Sequence, residues 1–148
     1  MIEAIQICDF EPRYQDAAAG LINEGLGDRF GIADPSMNPD LYDIAESYES
    51  GEFLLALDDT RLVGTGALMP QDPNTGQIAR MHTARGYRRL GVGTEILGEL
   101  ERRARVRQLT RIILETNMEW EDAINFYLRN GYIESSRGKF VVRFQKAL

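Results

Sequence analysis

Residues 77–105, QIARMHTARGYRRLGVGTEILGELERRAR, change character halfway along. Gln77 to Thr83 reads as a strand. From Val92 the apolar positions are Val92, Ile96, Leu97, Leu100 and Ala104, the spacing of one helical face. The opposite face pairs Glu99 with Arg103 and Glu101 with Arg105 at i,i+4. Basic residues crowd its C-terminal end, where the helix dipole favours them. Between strand and helix stands Arg88-Arg89-Leu90-Gly91-Val92-Gly93-Thr94. A helix entrance offers free N–H groups and the positive end of the dipole. Glycines there let backbone approach a ligand closely, and arginines add charge-assisted contacts. This is the chemistry of a diphosphate cradle, although an ordinary turn with surface arginines has the same composition.

Spacing sorts the nucleotide-binding alternatives. A Walker A loop needs Gly-x-x-x-x-Gly-Lys-Ser/Thr, and this segment has no such lysine. A dinucleotide fingerprint needs Gly-x-Gly-x-x-Gly after the first strand of a βαβ unit; Gly91 and Gly93 begin one, but Ile96 occupies the third glycine's place.

Upstream, residues 2–10 alternate roughly and read as a strand, and residues 13–24 carry helix formers. Residues 25–39, with three glycines and two prolines, read as a long loop. Asp40 to Ser50 reads as helix again. Glu52 to Leu57 and Leu62 to Met69 are strands joined by Asp58-Asp59-Thr60-Arg61, which is hairpin chemistry. Turn residues 71–76 lead to the strand at 77–83, so three neighbouring strands form an antiparallel meander. Downstream, Ile112-Ile113-Leu114 is a short buried strand, and strand–helix–strand implies a parallel crossover. A helix follows over about Glu119 to Arg129, with Trp120, Ala123, Ile124, Tyr127 and Leu128 on one buried face and Asn130-Gly131 as its cap. A short strand near Tyr132 to Ser135 and a final strand at Lys139 to Gln145 complete the chain.

The 148 residues, 43% hydrophobic and without an internal linker, make one domain, 1–148. The net charge of −6 repels a nucleic-acid backbone unless basic residues are gathered locally, as Arg80, Arg85, Arg88 and Arg89 partly are. The single cysteine, Cys8, excludes an internal disulfide and a cysteine-based zinc site, and falls in a strand where burial is its ordinary fate. No apolar run approaches the ~18 residues of a membrane span, and the N-terminus lacks a signal pattern. A soluble, cytoplasmic protein is expected, with no nucleic-acid or membrane partner.

Arg88-x-x-Gly91-x-Gly93, following a meander and opening an amphipathic helix, resembles the Gln/Arg-x-x-Gly-x-Gly/Ala pattern of the GNAT superfamily of N-acetyltransferases. Ala123-Ile124-Asn125-Phe126-Tyr127-Leu128-Arg129-Asn130-Gly131-Tyr132 is similar to that family's Ala-Ile-x-x-Tyr-x-x-x-Gly-Phe signature. The two blocks stand in the family's order with a strand between them. The resemblance is specific over residues 77–132 and extends elsewhere through element order.

The resemblance implies an α+β (mixed α/β) GNAT-like fold. A mostly antiparallel sheet would carry helices on both faces and splay open between the strand at 77–83 and the next, at 111–116. It implies acetyl-CoA as co-substrate and no metal. The diphosphate would rest on Arg88, Arg89, Leu90, Gly91, Val92, Gly93 and Thr94. The pantetheine arm would run along Met81, His82 and Thr83, with Asn117 and Phe126 as further contacts. A primary amine of a small or amino-acid-like molecule would attack the thioester directly in a ternary complex. A backbone N–H near Met81 or His82 would stabilise the oxyanion. Tyr127 would protonate the leaving sulfur, since a phenol of pKa about 10 is protonated at neutral pH. Arg29 and Phe30 are the expected acceptor contacts, Arg29 for a carboxylate, with Asp28 beside them for an amine.

Two departures from the family pattern matter. Gln77 stands where many members place a glutamate or histidine, and it cannot take a proton. His82, the only histidine, would replace it, but alternation puts it on the opposite face from Gln77 and Ala79 unless a bulge intervenes. Glu115, Glu24 and a water chain remain open as bases. Trp120 stands where the family often has asparagine, which leaves Asn117 as the nearest amide. A CoA-binding sensor without catalysis is the alternative to an enzyme. Homodimers are common in the superfamily, and Phe140 to Phe144 is the candidate strand for pairing across such an interface.

Overall fold

The computed structural model describes residues 5–31 and 34–148. Seven strands form one sheet: β1 (Ile5–Asp9), β2 (Glu52–Asp58), β3 (Arg61–Pro70), β4 (Thr75–Thr83), β5 (Arg111–Asn117), β6 (Ile133–Arg137) and β7 (Val141–Ala147). Their order is β1-β2-β3-β4-β5-β7-β6. Every neighbouring pair is antiparallel except β4 and β5, which are parallel and joined through α3 (Val92–Val106). This is the mixed sheet expected from the sequence.

β2 is buried from Phe53 to Leu57 because both of its faces are covered. Phe53 and Leu55 join Ala18 and Ile22 of α1 (Gln15–Phe30) in one core. Leu54 and Ala56 join Ile96, Leu97 and Leu100 of α3 in the other. The helical stripe of α3 is buried throughout as its spacing predicts. Of its two expected ion pairs, Glu99–Arg103 forms at 2.9 Å. Glu101 turns into the core instead, where it accepts from the Tyr132 hydroxyl at 2.8 Å and pairs with Lys146 at 3.1 Å.

The first helix is longer than its composition suggests. α1 continues through Gly25 and Gly27 to Phe30, residues the sequence assigns to a loop. Each interior glycine costs about 1 kcal/mol against alanine, and tertiary packing over β3 and β4 overrides that preference. The helix ends at Gly31, whose φ of 77° is the left-handed cap that glycine supplies. Ile32 and Ala33, within the expected loop, lie outside the described residues. The helix expected over Asp40–Ser50 shrinks to one turn, α2 (Ile44–Ser47), with the Asp43 carboxylate accepting from the Glu46 N–H at 3.1 Å. Prolines 35 and 39 open tight 3-10 turns before it, at Pro35–Met37 and Pro39–Tyr42.

The last helix, α4 (Glu121–Arg129), buries less than its stripe predicts. Tyr127 is buried, while Trp120, Ala123 and Ile124 are half-buried and Leu128 is 50% exposed. β7 pairs with β5 on one side and β6 on the other, so the Phe140–Phe144 stretch has no free edge to offer a second chain. The free edge of this half of the sheet belongs to β6, exposed along its whole length.

Candidate active site

β4 and β5 pair over three positions only, Thr75↔Arg111, Gly76↔Ile112 and Gln77↔Ile113. Beyond them the strands part, and an opening lies between residues 78–83 of β4 and 114–117 of β5.

β4 is irregular where it borders the opening. Thr65 pairs with His82, but Ala67 pairs with Ala79, so Arg80 and Met81 together face Gly66. This is a β-bulge, and Arg80 sits in the left-handed region with φ 57°. One extra residue inverts the alternation after it. Gln77, Ala79 and His82 therefore share the face toward α1. Met81 points to α3, and a Cβ built on Gly66 would meet its sulfur at 2.6 Å. The bulge on which the placement of His82 depended is present.

His82 lies half-buried beneath Gly25 of α1. Burial, then the charges of Arg80, Arg29 and Arg88, push its pKa down to about 4. The imidazole is neutral at pH 7.

At one end of the opening stands the N-terminus of α3. Gly91 is its N-cap at φ 87°, which a β-carbon would strain, and among the described residues no side chain caps the first turn. The amide groups of that turn are free to meet an anion. Gly93 packs against α4, where its Cβ would come 3.2 Å from the Phe126 ring. Arg88 is exposed, with Nε 3.4 Å from the Thr83 carbonyl. Asp28 of α1 already faces these arginines. Its carboxylate accepts from Arg85 Nε at 2.9 Å and from Arg85 Nη2, and lies 3.9 Å from Arg88. The hydrogen bond from Arg85 holds the Asp28 carboxyl below the usual range.

Tyr127 rises from α4 at 8% exposure, packed against Phe126, Tyr132 and Phe144 at centroid distances of 5.1, 5.7 and 6.0 Å. Burial pushes its pKa upward, so the phenol stays protonated. Among the described residues its hydroxyl has no hydrogen-bond partner.

Arg29 and Phe30, expected at the acceptor, join α1 to the start of α4. Arg29 donates to both carboxylate oxygens of Asp122 at 3.0 and 2.7 Å, and its guanidinium lies 4.4 Å over the Trp120 ring. Phe30 meets the same ring at 5.4 Å. Asn117 ends β5, and its Oδ1 accepts from the Glu119 N–H at 2.8 Å, shaping the turn into α4. The other candidate bases stand at the surface: Glu115 is 3.7 Å from Arg143, and Glu24 is 4.0 Å from Arg85. Among the described residues, no group of three His, Cys, Asp or Glu side chains could hold a metal ion, and no helix is long and apolar enough to cross a membrane. The pairings of Asp122 with Arg29 and of Asp40 with Arg80 carry no signal in the sequence, because the partners are 93 and 40 residues apart.

The chain's likeness to known proteins agrees with this geometry. The sequence profile described as Acetyltransferase (GNAT) family matches residues 19–132. The chain is 34% identical over 99 residues to "Probable N-acetyltransferase 14" of Xenopus tropicalis, covering 64% of this chain and 48% of that protein. It is 32% identical over 117 residues to "Probable N-acetyltransferase camello" of the same organism, covering 75% of this chain and 53% of that protein. The chain thus spans about half the length of the curated relatives it matches. Among solved structures, an acetyltransferase of the GNAT family from Staphylococcus aureus Mu50 superimposes with a TM-score of 0.91 at 27% identity, covering 98% of this chain and 99% of that one. The PaiA N-acetyltransferase from Thermoplasma acidophilum, solved in complex with coenzyme A, shares the fold with a TM-score of 0.84 at 15% identity, covering 97% of this chain and 99% of that one. The protein with the parted β4 and β5 strands belongs to the Acetyltransferase (GNAT) family.

Proposed function

We propose that the protein transfers an acetyl group from acetyl-CoA to the primary amine of a small or amino-acid-like molecule. The observation that carries this reading is the parting of β4 and β5 in front of an uncapped helix N-terminus. Family membership and a fold relative solved with coenzyme A support it.

The first-turn amides of α3, from Arg89 to Thr94, hold the diphosphate, with Arg88 beside them. Met81, His82 and Thr83 line the pantetheine arm, and Asn117 and Phe126 close its other side. The amine attacks the thioester carbonyl in a ternary complex. The carbon–nitrogen bond forms as the carbon–sulfur bond breaks, and the N–H groups beside the β4 bulge receive the oxyanion. Tyr127, protonated and with no hydroxyl partner among the described residues, donates its proton to the leaving sulfur.

The amine's proton has two routes. His82 is neutral and faces the α1 side of the cleft, so it can accept, but at a pKa of about 4 it is a weak base. Water accessible at the mouth is the other. The same low basicity, with Gln77 beside it, favours a second reading, a CoA-binding module without turnover. One experiment separates them. Acetyl-CoA is titrated calorimetrically into wild type, Gly91→Glu and Arg88→Ala, and an amine panel is assayed by release of free thiol. Binding that both substitutions weaken, followed by thiol release with an amine, supports the enzyme. Binding with no release from any amine supports the module. No binding by folded wild type rejects both.

A further inference from the structure

Arg80 is, among the described residues, the one non-glycine residue inside a strand with positive φ. Such a conformation persists only where surrounding groups hold it. Two sets of contacts do so. The fully buried Thr65 hydroxyl donates to the Arg80 carbonyl at 2.8 Å. The Arg80 guanidinium, with 19% of its side chain exposed, donates to both oxygens of Asp40, from Nε at 3.0 Å and Nη2 at 2.6 Å, and to Asn38 Oδ1 at 3.1 Å. Asp40 also accepts from the Tyr48 hydroxyl at 2.6 Å. The segment between α1 and β2 is thereby fastened to the bulge.

The bulge sets what the cleft contains. Without its extra residue, His82 would rotate to the α3 face, since a one-residue slip exchanges the faces of a strand. The Met81 amide would turn with it. We propose that Asp40, through its bidentate pair with Arg80, is a positioning residue that holds the β4 bulge and so aims the Met81 N–H group and the His82 imidazole into the cleft. Its effect on turnover rests on the acetyl-transfer reading above; its effect on β4 does not.

The test compares Asp40→Asn, Asp40→Glu, Arg80→Gly and the double variant Asp40→Asn/Arg80→Gly. Glycine tolerates φ 57°, so Arg80→Gly removes the guanidinium without adding backbone strain. Each variant is assayed for turnover, for acetyl-CoA affinity and for amide hydrogen exchange along β4. The resonance of the single histidine is followed by NMR. Asp40→Asn and Arg80→Gly are each expected to lower kcat about 10- to 100-fold, the loss typical of a catalytic group displaced by an ångström. Acetyl-CoA affinity is expected to fall less than kcat, because the diphosphate cradle at α3 is untouched and only the Met81 and His82 contacts to the pantetheine arm shift. The double variant falls no further than the worse single one, and Asp40→Glu recovers part of the rate. Faster exchange at Met81 and His82 and a moved His82 resonance accompany these losses.

The proposal is overturned if Asp40→Asn keeps kcat within about twofold of wild type. It is equally overturned if rates fall only in proportion to the folded fraction while the β4 amides and the His82 resonance stay in place. If wild type shows no acetyl transfer, the exchange and NMR measurements still decide the clamp, and only the function assigned to the cleft is lost.

Discussion

Gly25 of α1 lies directly over His82 of β4, so close that a Cβ at Gly25 would stand 2.7 Å from the imidazole Nδ1. The glycine that weakens the helix locally is what lets a ring fit between helix and strand. Gly25→Ala opposes two effects. Alanine favours the helix by about 1 kcal/mol, and the clash with a partly buried ring costs about 1–3 kcal/mol. The net is a destabilisation of between zero and about 2 kcal/mol, so the melting temperature is expected to hold or to fall by several degrees. The ring itself must move, and kcat is expected to fall about tenfold or more. Thermal melts and steady-state rates on the same samples check this; an unchanged rate would remove His82 from the reacting centre.

His82 should also be visible in the pH dependence of stability. Its folded pKa of about 4 lies below the ordinary 6.5, so the unfolded chain binds the proton more readily. Stability from this residue is complete above pH 6.5 and is lost as pH falls toward 4. The full loss is about 3 kcal/mol. Glu99, held down to about 2 by Arg102 and Arg103, loses its contribution at lower pH, so the two windows separate. Denaturant midpoints between pH 7 and 4 should fall in wild type and stay flatter in His82→Asn. NMR of the only histidine reads the same pKa directly.

Tyr127→Phe keeps the ring packed among Phe126, Tyr132 and Phe144 and removes a hydroxyl that bonds to nothing among the described residues. Stability is expected to change by about 1 kcal/mol or less. A proton donor's loss lowers kcat by about 10²- to 10⁴-fold, with acetyl-CoA affinity retained. A variant with wild-type kcat would return Tyr127 to the core.

Asp28 pairs with Arg85 and lies 3.9 Å from Arg88, the arginine set beside the diphosphate in the proposed site. Asp28→Asn keeps the side chain's size and removes the competing charge. Acetyl-CoA is expected to bind about two- to fivefold more tightly, and the gain should shrink as salt is raised, as for any exposed charge pair. Calorimetry at low and high salt checks it; weaker binding would mean that Asp28 orders the loop rather than competing with the ligand.

Periodic features were legible without coordinates. The α3 stripe, the β2–β3 hairpin and the two family blocks each depend on residues a few positions apart, and hydrophobic spacing reports local geometry faithfully. The composition of residues 25–30 misleads because two glycines lower helix propensity, whereas packing of α1 over β3 and β4, with Gly25 seated against His82, carries the helix on. Leu128 sits on the predicted apolar stripe yet faces solvent, because α4 is short and presents Tyr127 rather than its full length to the core. Arg29 pairs with Asp122 across 93 positions and Arg80 with Asp40 across 40, distances at which no local pattern specifies a partner. The face on which His82 lies depended on a single extra residue in β4. Alternation along a strand is a rule of the chain itself, but a bulge is held by side chains from elsewhere in the fold. Residue spacing therefore determined the elements and their order, while distant charges and close packing decided which side chains meet in the cleft.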